Sequence, residues 1–207
     1  MTIKESSDDL NPSITVAGNE IPTRRQRTVG DYLALAMATC GVGYFPVAPG
    51  TLGSLVGVAL FLAIQRLTTI LLLPYAFRHR LNFFTVQSVE LSILLIVILI
   101  VTLGGIAVAS RSETLFQKKD PGAVVIDEVS GQMISLLSVL VFAGGVWAVV
   151  SAFVLFRAFD IWKPYPVRRL EALESGLGIM LDDVAAGLYA AVANTIVIAG
   201  AGIFSLR

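Results

Sequence analysis

The chain has 207 residues, 56% hydrophobic and 14% charged, with a mean hydropathy of +0.80. A soluble domain carries about 25% charged residues, so this composition points to an integral membrane protein, and a net charge of zero argues against nucleic acid as a partner. One cysteine, Cys40, and one histidine, His79, exclude an internal disulfide, a cysteine-rich metal centre, most zinc enzymes and a two-histidine phosphatase mechanism.

Residues 1–28 are polar, with Asp8, Asp9 and Glu20 ahead of Arg24, Arg25 and Arg27. A signal peptide begins on its basic residues and turns apolar at once. The segment is instead expected to be a disordered polar tail whose basic end meets lipid headgroups. Residues 29–207 then form one membrane-embedded domain. Its first apolar piece, 31–45, is too short to cross about 30 Å of hydrocarbon and is predicted to be interfacial or re-entrant. Phe45-Pro-Val-Ala-Pro-Gly-Thr51 is a proline-punctuated turn, with Thr51 as the expected N-cap of the next helix.

Residues 52–73 are the first long apolar run, and 74–87 a polar connection holding Arg78, His79 and Arg80. Residues 88–109 are the clearest spanning helix, and 110–126 a polar loop. The apolar stretch 129–159 is too long for one span and contains Gly144-Gly145, so it predicts a helical hairpin of two short arms. A polar elbow at 161–182 with Pro164, Pro166, Gly176 and Gly178 precedes a last span, 184–204. The expected fold is an all-α membrane bundle of about four to six helices. Lys and Arg cluster before residue 28, in 110–126 and in 157–169, which predicts that these segments are cytoplasmic; Arg78 and Arg80 conflict with that assignment.

Charged residues gather beside the apolar runs. Asp127-Glu128 and Asp182-Asp183 each sit where a helix is expected to begin. Acids also favour a helix N-terminus for electrostatic reasons alone, but two such pairs at lipid boundaries suggest a site. Four nearby carboxylates repel one another, and a divalent cation removes that cost. Mg²⁺ prefers oxygen ligands of this kind. Arg157, Asp160 and Lys163 are spaced to share one helix face, where Asp160 could join a metal shell while Arg157 and Lys163 hold phosphate oxygens. Pro49-Gly-Thr-Leu-Gly-Ser54 offers backbone N–H groups and the Thr51 and Ser54 hydroxyls as an anion cradle. Asp127 and Asp183 are each followed four residues later by glycine, Gly131 and Gly187. That echo predicts a close approach of the two helices. Together these residues indicate a metal-dependent enzyme acting on a phosphorylated substrate at a membrane surface.

Four stretches, in order, resemble the phosphatidylglycerophosphatase A family: Pro49–Ser54, Asp120–Gly131, Phe156–Pro166 and Gly178–Gly187. The resemblance covers roughly 30–64 and 88–206. It implies a Mg²⁺-dependent phosphatase of the bacterial inner membrane that converts phosphatidylglycerophosphate to phosphatidylglycerol. Asp127, Glu128, Asp160, Asp182 and Asp183 match the family's acidic positions, and Arg157 and Lys163 its basic ones. Two rival readings are an intramembrane aspartyl protease and a cation transporter with a carboxylate-lined path.

Overall fold

A computed structural model describes residues 27–142 and 145–205, with side chains through Ile203. The expected tail lies outside the described residues up to position 26. The described residues form eight helices: α1 (Val29–Thr39), α2 (Pro49–His79), α3 (Phe83–Phe116), α4 (Ile126–Ser135), α5 (Leu137–Val141), α6 (Val146–Trp162), α7 (Val167–Glu171) and α8 (Ser175–Ser205). Taking α4 and α5 as one broken arm and leaving aside the five-residue α7 gives the six helices of the expected bundle. Three of them, α2, α3 and α8, are long and apolar enough to cross a membrane.

Thr28 starts α1 with a reciprocal cap: its hydroxyl accepts from the Asp31 N–H while its own N–H donates to Asp31. Asp31, Leu35, Ala38 and Thr39 face the bundle, whereas Tyr32, Leu33 and Met37 point outward. A short helix apolar on both faces fits the predicted interfacial position. Arg111 of α3 clamps it there, placing Nε at 2.8 Å and Nη2 at 2.6 Å from Asp31 Oδ1.

Several boundaries differ from expectation. Ala48, not Thr51, is the N-cap of α2, with Pro49 in the first turn. The 74–87 connection is almost wholly helical, because α2 continues through Pro74 to His79 and Asn82 caps α3 by accepting from the Thr85 N–H at 2.8 Å. A hydrogen bond of 2.6 Å from Thr69 to Glu90 ties the two extended helices together. Likewise α3 continues to Phe116, so the loop after it is shorter than 110–126. The hairpin within 129–159 is present, with a break at Leu136; of its glycines, Gly144 lies outside the described residues and Gly145 caps α6. The largest correction is in the elbow. Helix α8 begins at Ser175, so Asp182 and Asp183 lie about two turns inside it. Gly176 is a contact surface there, not a flexible joint: a Cβ on it would lie 2.6 Å from the Ser110 nitrogen of α3.

The core lies between α2, α3, α4 and α6 and includes Phe61, Leu94, Ile98, Met133, Leu136, Ala148 and Ala152. Close backbone approach orders the centre. A Cβ on Gly187 would sit 3.0 Å from the Gly131 carbonyl carbon, and one on Gly131 would sit 2.5 Å from the Asp183 oxygen. On the other flank, Gly53 and Gly57 of α2 rest on Val125 and Val129 of α4. Small residues of this kind let membrane helices pack where lipid gives little hydrophobic drive.

Two outcomes follow for stability. Gly187→Val forces α8 from α4 and is expected to destabilise the protein by about 1–3 kcal/mol or more, whereas Gly104→Ala, with nothing within 4 Å of its added carbon, is neutral. Thermal unfolding in detergent checks this, and equal melting of both variants contradicts it. The Thr28 N–H and then Arg111 hold the Asp31 carboxyl down from 3.8 to about 2. A depressed folded-state value means that the anchor stabilises above pH 3.8 and is lost as pH falls toward 2. Arg111→Ala should therefore narrow the gap between melting temperatures measured at pH 5 and near pH 2.

Candidate functional site

The site is built at one end of the bundle from parts far apart in sequence. Asp127 and Glu128 are in the first turn of α4. Adjacent helical residues diverge by about 100°, so the two acids present different sides of that turn. Gly131, one turn on, touches α8 next to Asp183. That contact sets the acids of the two helices against each other: oxygens of Asp127, Glu128 and Asp183 all lie within 4.8 Å of one another. Asp127 Oδ1, Glu128 Oε2 and Asp183 Oδ2 are closed off from solvent and accept no hydrogen bond among the described residues.

Buried acceptors without donors are costly. Burial, and then the Glu128 charge, pushes the Asp127 carboxyl well above the ordinary carboxylate range; burial also raises Glu128. Three carboxylates from two helices form a hard-oxygen donor set for a divalent cation, which would satisfy the orphaned oxygens and offset the mutual repulsion. The residues present therefore fit a metal.

Asp182 points away from this trio. Its Oδ1 accepts from the Asp183 N–H at 3.0 Å, and its Oδ2 lies 2.9 Å from Lys163 Nζ. Lys163 also meets Glu171 Oε1 at 3.0 Å, so one ammonium ties α6, α7 and α8 together. Burial alone would lower the Lys163 pKa, but the hydrogen bonds to Asp182 and Glu171 override it and raise the value. Lys163 ends α6 in a left-handed conformation, φ 47°, so the shared face expected for Arg157, Asp160 and Lys163 stops at Asp160. Asp160 pairs with Arg157 at 2.7 Å.

These groups line one cavity of about 740 Å³ together with Pro49 and Gly50 of α2. All five expected acids, Arg157 and Lys163 belong to it. Thr51 and Ser54 are not among its lining residues. Ser54 is fully buried; its hydroxyl donates to the Gly50 carbonyl at 3.0 Å and accepts from Arg157 Nη1 at 3.5 Å. The Thr51 N–H already donates to Ala48. A Cβ on Gly50 would collide with Glu128 Oε1 and lie 3.3 Å from Arg157. The Pro49–Ser54 motif is thus a packing surface that leaves room for the site. Sequence reasoning missed Lys119, Asp120, Arg168 and Glu171 as lining residues. Lys119 and Arg168 were visible only as topology markers, and Glu171 carried no local signal.

The family model for Phosphatidylglycerophosphatase A matches residues 35–198. The chain belongs to the phosphatidylglycerophosphatase A family. The resemblance carried by the four motifs is borne out, and with it the assignment as a phosphoric monoester hydrolase. Proteins named Phosphatidylglycerophosphatase A from Haemophilus influenzae and Escherichia coli are 33% and 29% identical, over 73% of this chain and 80% and 74% of theirs. A Bacteroides thetaiotaomicron protein named "Putative phosphatidylinositol-3-phosphatase" is 38% identical over 72% of this chain and 82% of its own length. No solved structure matches the chain.

The geometry predicts one cation site shared by α4 and α8. In detergent, with Mn²⁺ as the probe, Asp127→Asn and Asp183→Asn should each weaken binding at least about tenfold, by analogy with losses at metal-site partners. Calorimetric titration reads this directly, and wild-type affinity in both variants contradicts a shared ion.

Proposed function

We propose that this protein is a Mg²⁺-dependent lipid phosphatase that removes the terminal phosphate of phosphatidylglycerophosphate in phospholipid biosynthesis. The observation that supports it most strongly is the meeting of Asp127, Glu128 and Asp183 within 4.8 Å in a cavity that also holds Arg157 and Lys163. Seven acidic and four basic side chains line that cavity. A phosphomonoester would meet net repulsion there unless a cation were bound.

When bound, the ion supplies charge neutralisation at the phosphoryl oxygens and makes water a better nucleophile. Asp127, Glu128 and Asp183 would hold it, with Asp160 of α6 lining the same cavity. Asp127 or Glu128, side by side in the first turn of α4, would take the proton of the attacking water. Arg157, braced by Asp160 and Ser54, keeps its guanidinium at the cavity and holds phosphate oxygens as charge develops. Lys163 has three donors; Asp182 and Glu171 take two, and the third is available to phosphate. Ser54 acts through Arg157, and Thr51 through the start of α2.

A membrane site facing the cytoplasm of a bacterial inner membrane fits the charge distribution. Arg27, Arg111, Lys118, Lys119, Arg157, Lys163, Arg168 and Arg169 belong to the cavity end, against Arg66, Arg78 and Arg80 in the far half of α2 and the turn after it. Exposed Tyr44, Phe45, Trp162 and Tyr165 mark the headgroup level near the cavity. The protease and transporter readings are not favoured: the acids meet lysine and arginine in a cavity at one end of the bundle. The 38% identity to the Bacteroides protein supports a second candidate substrate, phosphatidylinositol 3-phosphate.

Purified protein in detergent should release inorganic phosphate from phosphatidylglycerophosphate with Mg²⁺ and stop with EDTA. Thin-layer analysis should show phosphatidylglycerol as product. Asp127→Asn should lower kcat by about a thousandfold or more, within the range for loss of a central catalytic group, while the protein stays folded. Undiminished turnover in EDTA contradicts the metal requirement, and faster release from phosphatidylinositol 3-phosphate transfers the assignment to that lipid.

A further inference from the structure

Four basic side chains line the cavity: Lys119, Arg157, Lys163 and Arg168. Two of them are neutralised within the fold, Arg157 by Asp160 at 2.7 Å and Lys163 by Asp182 and Glu171 at 2.9 and 3.0 Å. Lys119 and Arg168 form no ion pair among the described residues. Their sequence neighbours differ. The Arg169 guanidinium lies 5.0 Å from the centre of the Tyr165 ring and does not line the cavity. The loop carrying Lys119 is pinned beside it, since the Asp120 N–H donates to Glu113 Oε1 at 3.0 Å.

The two unpaired cations also differ from the acids in placement. Asp127, Glu128 and Asp183 are on α4 and α8, with buried oxygens. Lys119 and Arg168 are exposed, on the loop after α3 and on the short helix α7. The cavity therefore holds two separable features: a buried carboxylate trio that would take a cation and, through it, the phosphomonoester, and an exposed pair of free positive charges that attracts an anion directly. A substrate with one phosphate needs only the first. A lipid whose headgroup carries a terminal phosphomonoester and is joined to diacylglycerol by a phosphodiester presents a second anion. Arg offers a planar fork to two non-bridging oxygens, and Lys adds a point charge.

We propose that Lys119 and Arg168 form a second anion subsite that receives the phosphodiester, so that the enzyme selects lipids with two phosphates over phosphatidate, which has a single phosphomonoester. This deepens the lipid-phosphatase reading above and rests on it. Both candidate substrates named there have a diester and a monoester, so the subsite favours the class and does not choose within it.

The test compares kcat/KM for phosphatidylglycerophosphate and for phosphatidate in mixed micelles with Mg²⁺. In Lys119→Ala/Arg168→Ala the ratio of the two should fall about tenfold, the scale of one or two exposed charge-assisted contacts, through a rise in KM for the two-phosphate lipid. Lys119→Arg/Arg168→Lys should restore most of the ratio, and Arg169→Ala should leave it unchanged. An equal loss on both lipids, or an unchanged ratio, overturns the proposal. Binding of short-chain phosphatidylglycerol, which keeps the diester and lacks the monoester, gives a readout without turnover. The double alanine variant should bind it about tenfold more weakly than wild type. Equal binding overturns the subsite even where wild type hydrolyses neither lipid, an outcome that by itself counts against the phosphatase reading.

Discussion

The site depends on one backbone contact. Gly131 and Gly187 let α4 and α8 touch with no side chain between them. Each glycine stands one turn from an acid, Asp127 and Asp183, so the distance between helix axes sets the distance between carboxylates. Any larger residue at either position would widen the gap and spread the oxygens that now lie within 4.8 Å. Packing and chemistry are fixed by the same two residues. The second flank obeys the same logic, because Gly50 leaves space for Glu128 and Arg157 where a side chain would collide.

That arrangement is electrostatically expensive. Buried carboxylates facing one another disfavour their own ionisation, and the protein distributes countercharge unevenly around them. Lys163 is committed to Asp182 and Glu171, and Arg157 to Asp160. None of these cations pairs with Asp127, Glu128 or Asp183. The trio is left for something that is not part of the chain. A divalent ion fits that description through its charge, its preference for oxygen and its tolerance of carboxylate neighbours. Helix α1 contributes indirectly. Its Ala38 carbonyl accepts from the Val125 N–H at 2.8 Å, which places the segment leading into Asp127, and Arg111 fixes α1 through Asp31.

Much of this was legible in the sequence. Charge beside hydrocarbon is rare enough to mark Asp127, Glu128, Arg157, Asp160, Asp182 and Asp183, and the glycine four residues after each of two acids foretold the helix contact. What misled was local punctuation. Gly176 and Gly178 looked like a flexible elbow, yet both lie inside α8, where the Gly176 N–H donates to Ser110 of α3 and its missing side chain lets the two helices touch. The connection expected from residue 74 onward is likewise taken up by α2, which runs through Pro74. Thr51 looked like a cap, but the chain enters α2 one turn earlier through Ala48 and Pro49. Ser54 looked like a phosphate ligand, yet its hydroxyl is spent on Gly50 and Arg157. The division of labour between Asp182 and Asp183 could not be read in advance. It depends on which side of α8 faces α4 and which faces Lys163, a fact of tertiary packing.

The central claim is that residues from α4 and α8 cage one divalent ion. Anomalous diffraction from crystals soaked in Mn²⁺ tests it most directly. The account predicts a single strong peak between the two helices, roughly 2–2.5 Å from oxygens of Asp127, Glu128 and Asp183. A peak elsewhere in the cavity, or ion density touching only one of the two helices, would contradict it.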